Sequence, residues 1–343
     1  MFRNLPQPLH FAILIRLISR KAHPLNGVIG RFVKYIILND VFISFINGST
    51  YGAKMPRVSW GFMGAMHVPF PPHYEQVAIA TFLDRETAKI DALVEEQEKL
   101  IALLKEKRQA VISHAVTKGL DPNVPMKDSG IEWLGEVPEH WEVRRIATLF
   151  REANRPGDPL LPVLSISIHN GITDDELAPE ERDRQVSQIE DRVKYKRVAP
   201  NDLAYNTMRA WQGAFGAVSV DGLVSPAYVV AEPIDTFQTE YVEHLLRTPR
   251  AIEEMRRYSR GITDFRMRLY WEYFRDLKVC QPPVSEQDEI LTMISRETSR
   301  IEAVIETAES SIELLKERRS ALISAAVTGK IDVRGLVNAE VIA

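Results

Sequence analysis

Arginine is concentrated in one short stretch of this chain. Between Arg247 and Arg268 lie seven arginines (247, 250, 256, 257, 260, 266 and 268), against Glu253, Glu254 and Asp264. Guanidinium groups at that density suit phosphate neutralisation and bidentate contact with guanine edges. Gly261-Ile262-Thr263-Asp264-Phe265-Arg266 reads as a loop flanked by Arg260 and Arg268. Its glycine lets backbone come close to a phosphate. A second loop is expected at Met208-Arg209-Ala210-Trp211-Gln212-Gly213. There Gln212 suits an adenine edge, Arg209 adds charge and Trp211 supports the turn. The candidate DNA-contacting residues are Arg209, Gln212, Arg260, Thr263, Arg266 and Arg268. The plainer alternatives are surface salt bridges for the arginines and a core place for Trp211.

Other residue patterns speak against catalysis. An adenine methyltransferase holds its flipped base with an Asp-Pro-Pro-Tyr-like motif. The nearest match, Ser225-Pro226-Ala227-Tyr228, lacks the second proline and has no Gly-rich cofactor loop beside it, so it reads as a turn entering a strand. Gly329-Lys330 stands without the rest of a phosphate loop. The histidines are scattered, with no pair at zinc spacing, and His140 beside Trp141 reads as structural. Asp174 to Asp191 is strongly acidic and reads as a solvated loop. No catalytic, cofactor-binding or metal-binding residue is expected in this chain.

The bulk numbers fit a folded binding protein. With 343 residues, 45% hydrophobic and 26% charged, the chain can bury a real core. Its single cysteine, Cys280, excludes a disulfide framework and a cysteine-rich zinc site. The apolar runs Leu9–Ile18 and Phe32–Phe45 are short and interrupted by charge, so neither reads as a membrane span. A cytoplasmic protein without a leader is expected. The net charge of −4 means that any DNA-binding surface must be local or shared with a partner.

What must position the loops is legible from a repeat. Residues 71–117 and 282–328 align without a gap at a constant offset, Pro71 onto Pro282 and Thr117 onto Thr328, with about half the positions identical. Each copy opens with Pro-Pro-x-x-Glu-Gln and contains no further Pro or Gly until Gly119 or Gly329. Each therefore reads as one long helix, some 65 Å in length at ~1.5 Å per residue. Ile90, Leu93, Leu100 and Leu104 in the first copy, and Ile301, Val304, Leu315 and Leu322 in the second, recur near a spacing of 3.5. They are assigned to helix pairing and partner docking, and antiparallel packing of the two copies is the most economical mate. Between them, 126–281 reads as a mixed α/β domain. Strands are expected near Leu161–Ile168, Leu203–Tyr205, Phe215–Val220 and Ala227–Ala231, followed by a helical stretch over Thr239–Tyr258.

The order of helix, globular domain and matching helix resembles the specificity subunit of type I restriction–modification systems. The phrases that carry the resemblance are Lys127-Asp128-Ser129-Gly130-Ile131-Glu132-Trp133-Leu134-Gly135 with Val137-Pro138-Glu139-His140-Trp141, then Met208 to Gly213, Val224-Ser225-Pro226-Ala227-Tyr228 and the two Pro-Pro-x-x-Glu-Gln openings. The resemblance implies mixed α/β target-recognition domains joined by two long antiparallel coiled-coil helices. It implies a non-catalytic chain that binds double-stranded DNA and works with modification subunits and a motor–nuclease restriction subunit. S-adenosylmethionine, ATP and Mg would then reside in those partners. The corresponding division is 1–70, a remnant of a first recognition domain; 71–125, a helical spacer; 126–281, the second recognition domain; 282–335, a second spacer; and 336–343, a tail. Residues 1–31 are expected to be poorly ordered and the remainder of the first domain to pack on the base of the helix pair. Two other functions stay open on the residues alone: a methyltransferase in its own right, and a coiled-coil adaptor without DNA contact.

Overall fold

The computed structural model describes residues 9–10, 27–50, 58–168, 171–175, 191–261 and 267–336. The expectations for 1–8, for most of 11–31 and for the acidic run beyond Asp175 fall outside these residues. In chain order come β1 (Leu9–His10), α1 (Gly30–Ile37), α2 (Asp40–Asn47), α3 (Trp60–Ala65), β2 (His67–Val68) and the long α4 (His73–Lys118). Then follow β3 (Met126–Asp128), β4 (Glu136–Pro138), β5 (Glu142–Arg145), α5 (Ile146–Leu149), β6 (Phe150–Ala153), β7 (Ile166–Ser167), β8 (Gly171–Ile172) and β9 (Lys196–Val198). The chain continues through β10 (Leu203–Asn206), β11 (Phe215–Ala217), β12 (Gly222–Val224), β13 (Tyr228–Pro233), α6 (Thr239–Leu246), α7 (Pro249–Tyr258), α8 (Trp271–Phe274) and β14 (Lys278–Gln281) to the second long helix, α9 (Val284–Val327). No helix among the described residues is long and apolar enough to cross a membrane.

Two compact units result, 1–103 with 303–343, and 104–302. Both long helices contribute to both. In the first unit the start of α4 (Ala78, Ile79, Phe82, Leu83) shares a core with the end of α9 (Ile323, Ala326, Val327) and with Phe32, Val33, Tyr35 and Ile36 of α1. In the second unit the end of α4 (Ile112, Ala115, Val116) shares a core with the start of α9 (Ile290, Ile294). The helices are therefore antiparallel in each unit. Arg319 Nε donates to Asp91 Oδ1 at 2.9 Å in the first unit, and Arg108 Nη1 to Glu302 Oε1 at 2.8 Å in the second. The repeat offset carries Asp91 onto Glu302 and Arg108 onto Arg319. Each unit thus holds one copy of the same ion pair, with donor and acceptor exchanged between helices.

The seam differs from the one expected. Leu83, Thr87, Ile90 and, in the second copy, Ile294, Ile301, Ile305, Ala308 and Ile312 are buried. Val94, Gln97, Ile101, Leu104, Thr298 and Leu315 are half-buried. These positions alternate by four and three, which is a heptad seam. Ile90, Leu104, Ile301 and Leu315 lie on it, and Leu322 packs beside the core of the first unit. Leu93, Leu100 and Val304 do not: they are exposed, as are Leu103 and Leu314. The expected stripe was rotated because it followed leucine identity. The true seam admits Thr87 and Ala308, whose side chains do not announce a core, and it keeps Gln97, which the spacing had already placed on it.

In the second unit the central sheet has the order β11-β10-β13-β6, every pair antiparallel. Successive strand side chains point to opposite faces. Leu203, Tyr205, Val229 and Ala231 face one core, shared with α6, α7 and the long helices. Ala204 and Val230 face a second core with Leu164, Val198 and Val224. The expected strand at Leu161–Ile168 is mostly irregular, with a strand at Ile166–Ser167 and an isolated bridge from Val163 to Leu223. The expected helical stretch is two helices. Pro249 lacks an N–H and takes the first-turn position of α7, and Thr248 Oγ1 caps it by accepting from Ala251 N at 3.4 Å. Cys280 is buried, and burial pushes its thiol up to about 12, so it is inert rather than reactive.

Candidate nucleic-acid interface

The β10–β11 hairpin carries the first candidate loop. Asn206 turns the chain: its Oδ1 accepts from Met208 N at 3.0 Å, and its carbonyl accepts from Arg209 N at 2.9 Å. Gly213 closes the turn at φ +91, a left-handed conformation that disfavours a Cβ. Trp211 Nε1 donates to the Met208 carbonyl at 3.0 Å, so the indole braces the loop from inside. Met208 and Gln212 stay exposed and Arg209 is half-buried. Burial raises the Tyr228 phenol, and the Arg209 charge partly offsets this, which puts Arg209 beside the Ser225–Tyr228 turn.

The second candidate loop is pinned to the first. Arg260 and Arg268 exchange backbone hydrogen bonds at 2.8 and 2.9 Å, closing a narrow hairpin stem. One residue on, Leu269 N donates to the Thr207 carbonyl at 2.9 Å, and Thr207 Oγ1 donates to the Ala227 carbonyl at 3.1 Å. Three separate sequence phrases therefore meet at one end of the sheet's central strands. Thr263 and Arg266 lie outside the described residues. Arg260 stands over the Tyr273 ring at 4.6 Å, and Arg256 over Trp211 at 5.4 Å. Such stacking holds a guanidinium in place.

The structure divides the arginine cluster by role. Arg247 bonds Glu243 at 2.7 Å, and Glu243 also accepts from Ala217 N at 2.8 Å, so this arginine braces α6 to β11. Arg257 lies between Glu254 (3.1 Å) and Glu132 (3.3 Å), and both carboxylates hold its guanidinium in the charged form. The loop of Arg209 and Gln212 and the stem of Arg260 and Arg268, expected as two separate loops, meet through the Leu269–Thr207 backbone bond. Arg256 joins them and was missed; its spacing of four from Arg260 along the cluster was the available signal. Among the described residues no group of three His, Cys, Asp or Glu side chains converges as a metal site.

The fold and these loops define a class: a mixed α/β domain carried on a pair of antiparallel helices, with an arginine-rich loop cluster at one end of its sheet. Comparison with known proteins gives the class its relatives. The chain is 31% identical over 118 residues to the type I restriction enzyme MjaVIII specificity subunit of Methanocaldococcus jannaschii, a match covering 32% of this chain and 26% of that protein. It is 21% identical over 313 residues to the EcoBI specificity subunit of Escherichia coli, covering 84% of this chain and 64% of that protein. A solved structure from a study of assembly and conformational transition in the type I R-M system shares its fold, with a TM-score of 0.57 and 16% identity over 89% of this chain and 72% of that one. No family model matches the chain. The chain is thus similar to type I restriction specificity subunits over most of its own length, while spanning under two thirds of the curated relatives it matches.

Proposed function

We propose that this chain is a non-catalytic DNA-specificity subunit of a type I restriction–modification assembly, reading sequence through the edge built from the 207–214 loop and the Arg260–Arg268 hairpin. The observation that carries the reading is the Leu269–Thr207 backbone hydrogen bond, which fixes two loops of DNA-competent side chains against one another. Gln212 offers the adenine-type donor–acceptor pair, and Arg209, Arg260 and Arg268 offer guanine-edge or phosphate contacts. Thr263 and Arg266 are assigned to the same interface by sequence. The domain division follows: 1–70 a reduced first recognition domain, 126–281 the intact one, 71–125 and 282–335 the spacers between them, and 336–343 a tail.

The partners follow from the same reading. Ile90, Leu104, Ile301 and Leu315 hold the helix pair together. The exposed Leu93, Leu100 and Val304, with Leu103 and Leu314, supply an apolar strip for a modification subunit. S-adenosylmethionine belongs to that subunit, and ATP and Mg to the restriction subunit. The test is to express the chain with its neighbouring modification subunit and map methylated adenines. A defined methylated sequence that changes when Gln212 and Arg268 are replaced supports the reading. Binding of S-adenosylmethionine by the isolated chain, or methylation indifferent to those residues, overturns it.

A further inference from the structure

The two units share one helical frame. Gln76 is buried; its Oε1 accepts from Ile29 N at 3.0 Å and its Nε2 donates to the Pro71 carbonyl at 2.8 Å. Gln287 is buried likewise; its Oε1 accepts from Gln238 N at 2.8 Å and its Nε2 donates to the Pro282 carbonyl at 2.8 Å. Ile29 therefore corresponds to Gln238. The same offset carries the buried Phe32, Val33 and Ile36 of α1 onto Tyr241, Val242 and Leu245 of α6. It carries Asn39, which caps α2, onto Thr248, which caps α7. The β10–β11 loop lies outside this shared frame, so the frame does not dictate what that loop exposes.

Met208 is the exposed residue of the loop that polar recognition leaves unexplained. Its main chain is pinned on both sides. Its N–H donates to Asn206 Oδ1 at 3.0 Å, and its carbonyl accepts from Trp211 Nε1 at 3.0 Å. Asn206 N donates to the Ala214 carbonyl at 3.1 Å and closes the loop. Thr207, the preceding residue, is buried and tied to Leu269 and Ala227. With its backbone held so firmly, the Met208 side chain is still 41% exposed. Arg209 follows it, Gln212 is exposed in the same loop, and the Arg260–Arg268 stem joins through Leu269. Tyr270, 45% exposed, stands on the far side of Leu269. A thioether among these groups neutralises no phosphate and donates no hydrogen bond. On the major-groove edges of the four bases, the apolar group on offer is the 5-methyl of thymine. An A·T pair presents that methyl together with adenine N6 and N7, the pair of atoms that suits Gln212.

We propose that Met208 reads the 5-methyl group of a thymine at, or one step from, the A·T pair that Gln212 contacts. The loop then recognises one short stretch through two chemistries, hydrogen bonds to adenine and apolar contact with a methyl. The unbranched thioether adapts to the position of that methyl, while the pinned backbone keeps its stem at the surface. This inference rests on the DNA reading above and adds to it a base that is read without any hydrogen bond.

The perturbation is made in the DNA, so the fold of the protein is not at issue. The full chain with its modification subunit is bound to duplexes carrying its mapped methylation site, with each thymine in turn replaced by deoxyuridine. Uracil keeps every hydrogen-bonding group of thymine and lacks the methyl. At one position affinity should fall by ~3–5-fold, the change that corresponds to ~0.8 kcal/mol for one buried methyl-sized group. In Met208→Ala that position should bind thymine and uracil alike, with the salt slope unchanged because no phosphate contact is lost. Met208→Leu, which keeps an apolar side chain, and Tyr270→Ala should both retain the difference. Equal affinity at every thymine, or differences that all survive in Met208→Ala, overturn the inference and leave the DNA reading standing. A difference that vanishes in Tyr270→Ala alone overturns the assignment to Met208. A complex without preference for its mapped site overturns the DNA reading, and this inference with it.

Discussion

Adjacent residues on α9 give the sharpest test of the seam. Ile305 is 5% exposed and Val304 45%, both in the first unit. Ile305→Ala removes three buried carbons. At ~0.8 kcal/mol per methylene that is about 2.4 kcal/mol of transfer energy, and the unfilled cavity raises the expected loss to about 2–4 kcal/mol. Val304→Ala removes two carbons that are already half in water, so the loss should stay below ~1 kcal/mol. Helix propensity favours alanine over both residues by a few tenths of a kcal/mol and narrows neither difference much. Urea titration followed by far-ultraviolet circular dichroism measures both, with unchanged slope required for the comparison. Equal losses, or a larger loss at Val304, would refute the four-three seam and restore the stripe through Leu93, Leu100 and Val304. If that exposed strip serves a partner, Val304→Asp should leave the chain folded yet reduce its retention by the modification subunit in a pull-down.

Other outcomes can be checked alongside. Gln287→Leu removes the acceptor for Gln238 N and the donor to the Pro282 carbonyl in a site with no water access, so stability should fall by about 2–4 kcal/mol in urea titration. Arg268→Ala should cost about 1–3 kcal/mol and relax one base position if it reads a base, or weaken all duplexes and lower the salt slope by about one if it meets phosphate; unchanged binding by fluorescence anisotropy removes it from the interface. Burial pushes the Glu232 carboxyl up, but hydrogen bonds from Arg151 and Arg155 outweigh it and hold the group below its ordinary value. A depressed folded value means stability that is present above the unfolded pKa of ~4.3 and is lost as pH falls through the folded one. The urea midpoint should therefore drop below about pH 4.5 in the wild type and drop less in Glu232→Gln.

Much of this was written in residue order, and the exceptions have physical reasons. The double prolines at 71–72 and 282–283 and the gapless copies announced both long helices, because proline and glycine act on local backbone whatever the tertiary setting. The arginine-rich loop and the Trp211 turn were visible as composition. Their meeting was not, because it depends on one backbone hydrogen bond between Leu269 and Thr207, and backbone groups carry no sequence signature. The seam was misread for the opposite reason: leucine is common on exposed helix faces, while Thr87 and Ala308 occupy seam positions without a large apolar side chain. The correspondence of α1 with α6 was hidden because Gly30–Ile37 and Thr239–Leu246 share little beyond Val33 and Val242 and a pattern of buried positions.

The two units act as a control on one another. Where they agree, the residues hold the frame: Gln76 with Gln287, Asn39 with Thr248, Ile90 with Ile301, and Asp91 and Arg108 with Glu302 and Arg319. Where they disagree, each unit does something the other does not. The second unit places Arg250, Arg256 and Arg257 on α7, close to an arginine hairpin, and the first places Val41, Asn47 and Gly48 on α2. This also resolves the acidic total. A chain of net charge −4 can still bind a polyanion if its cations are gathered on one helix and one hairpin. Net charge was therefore the least informative number in the sequence, and the difference between two copies of one helix the most informative.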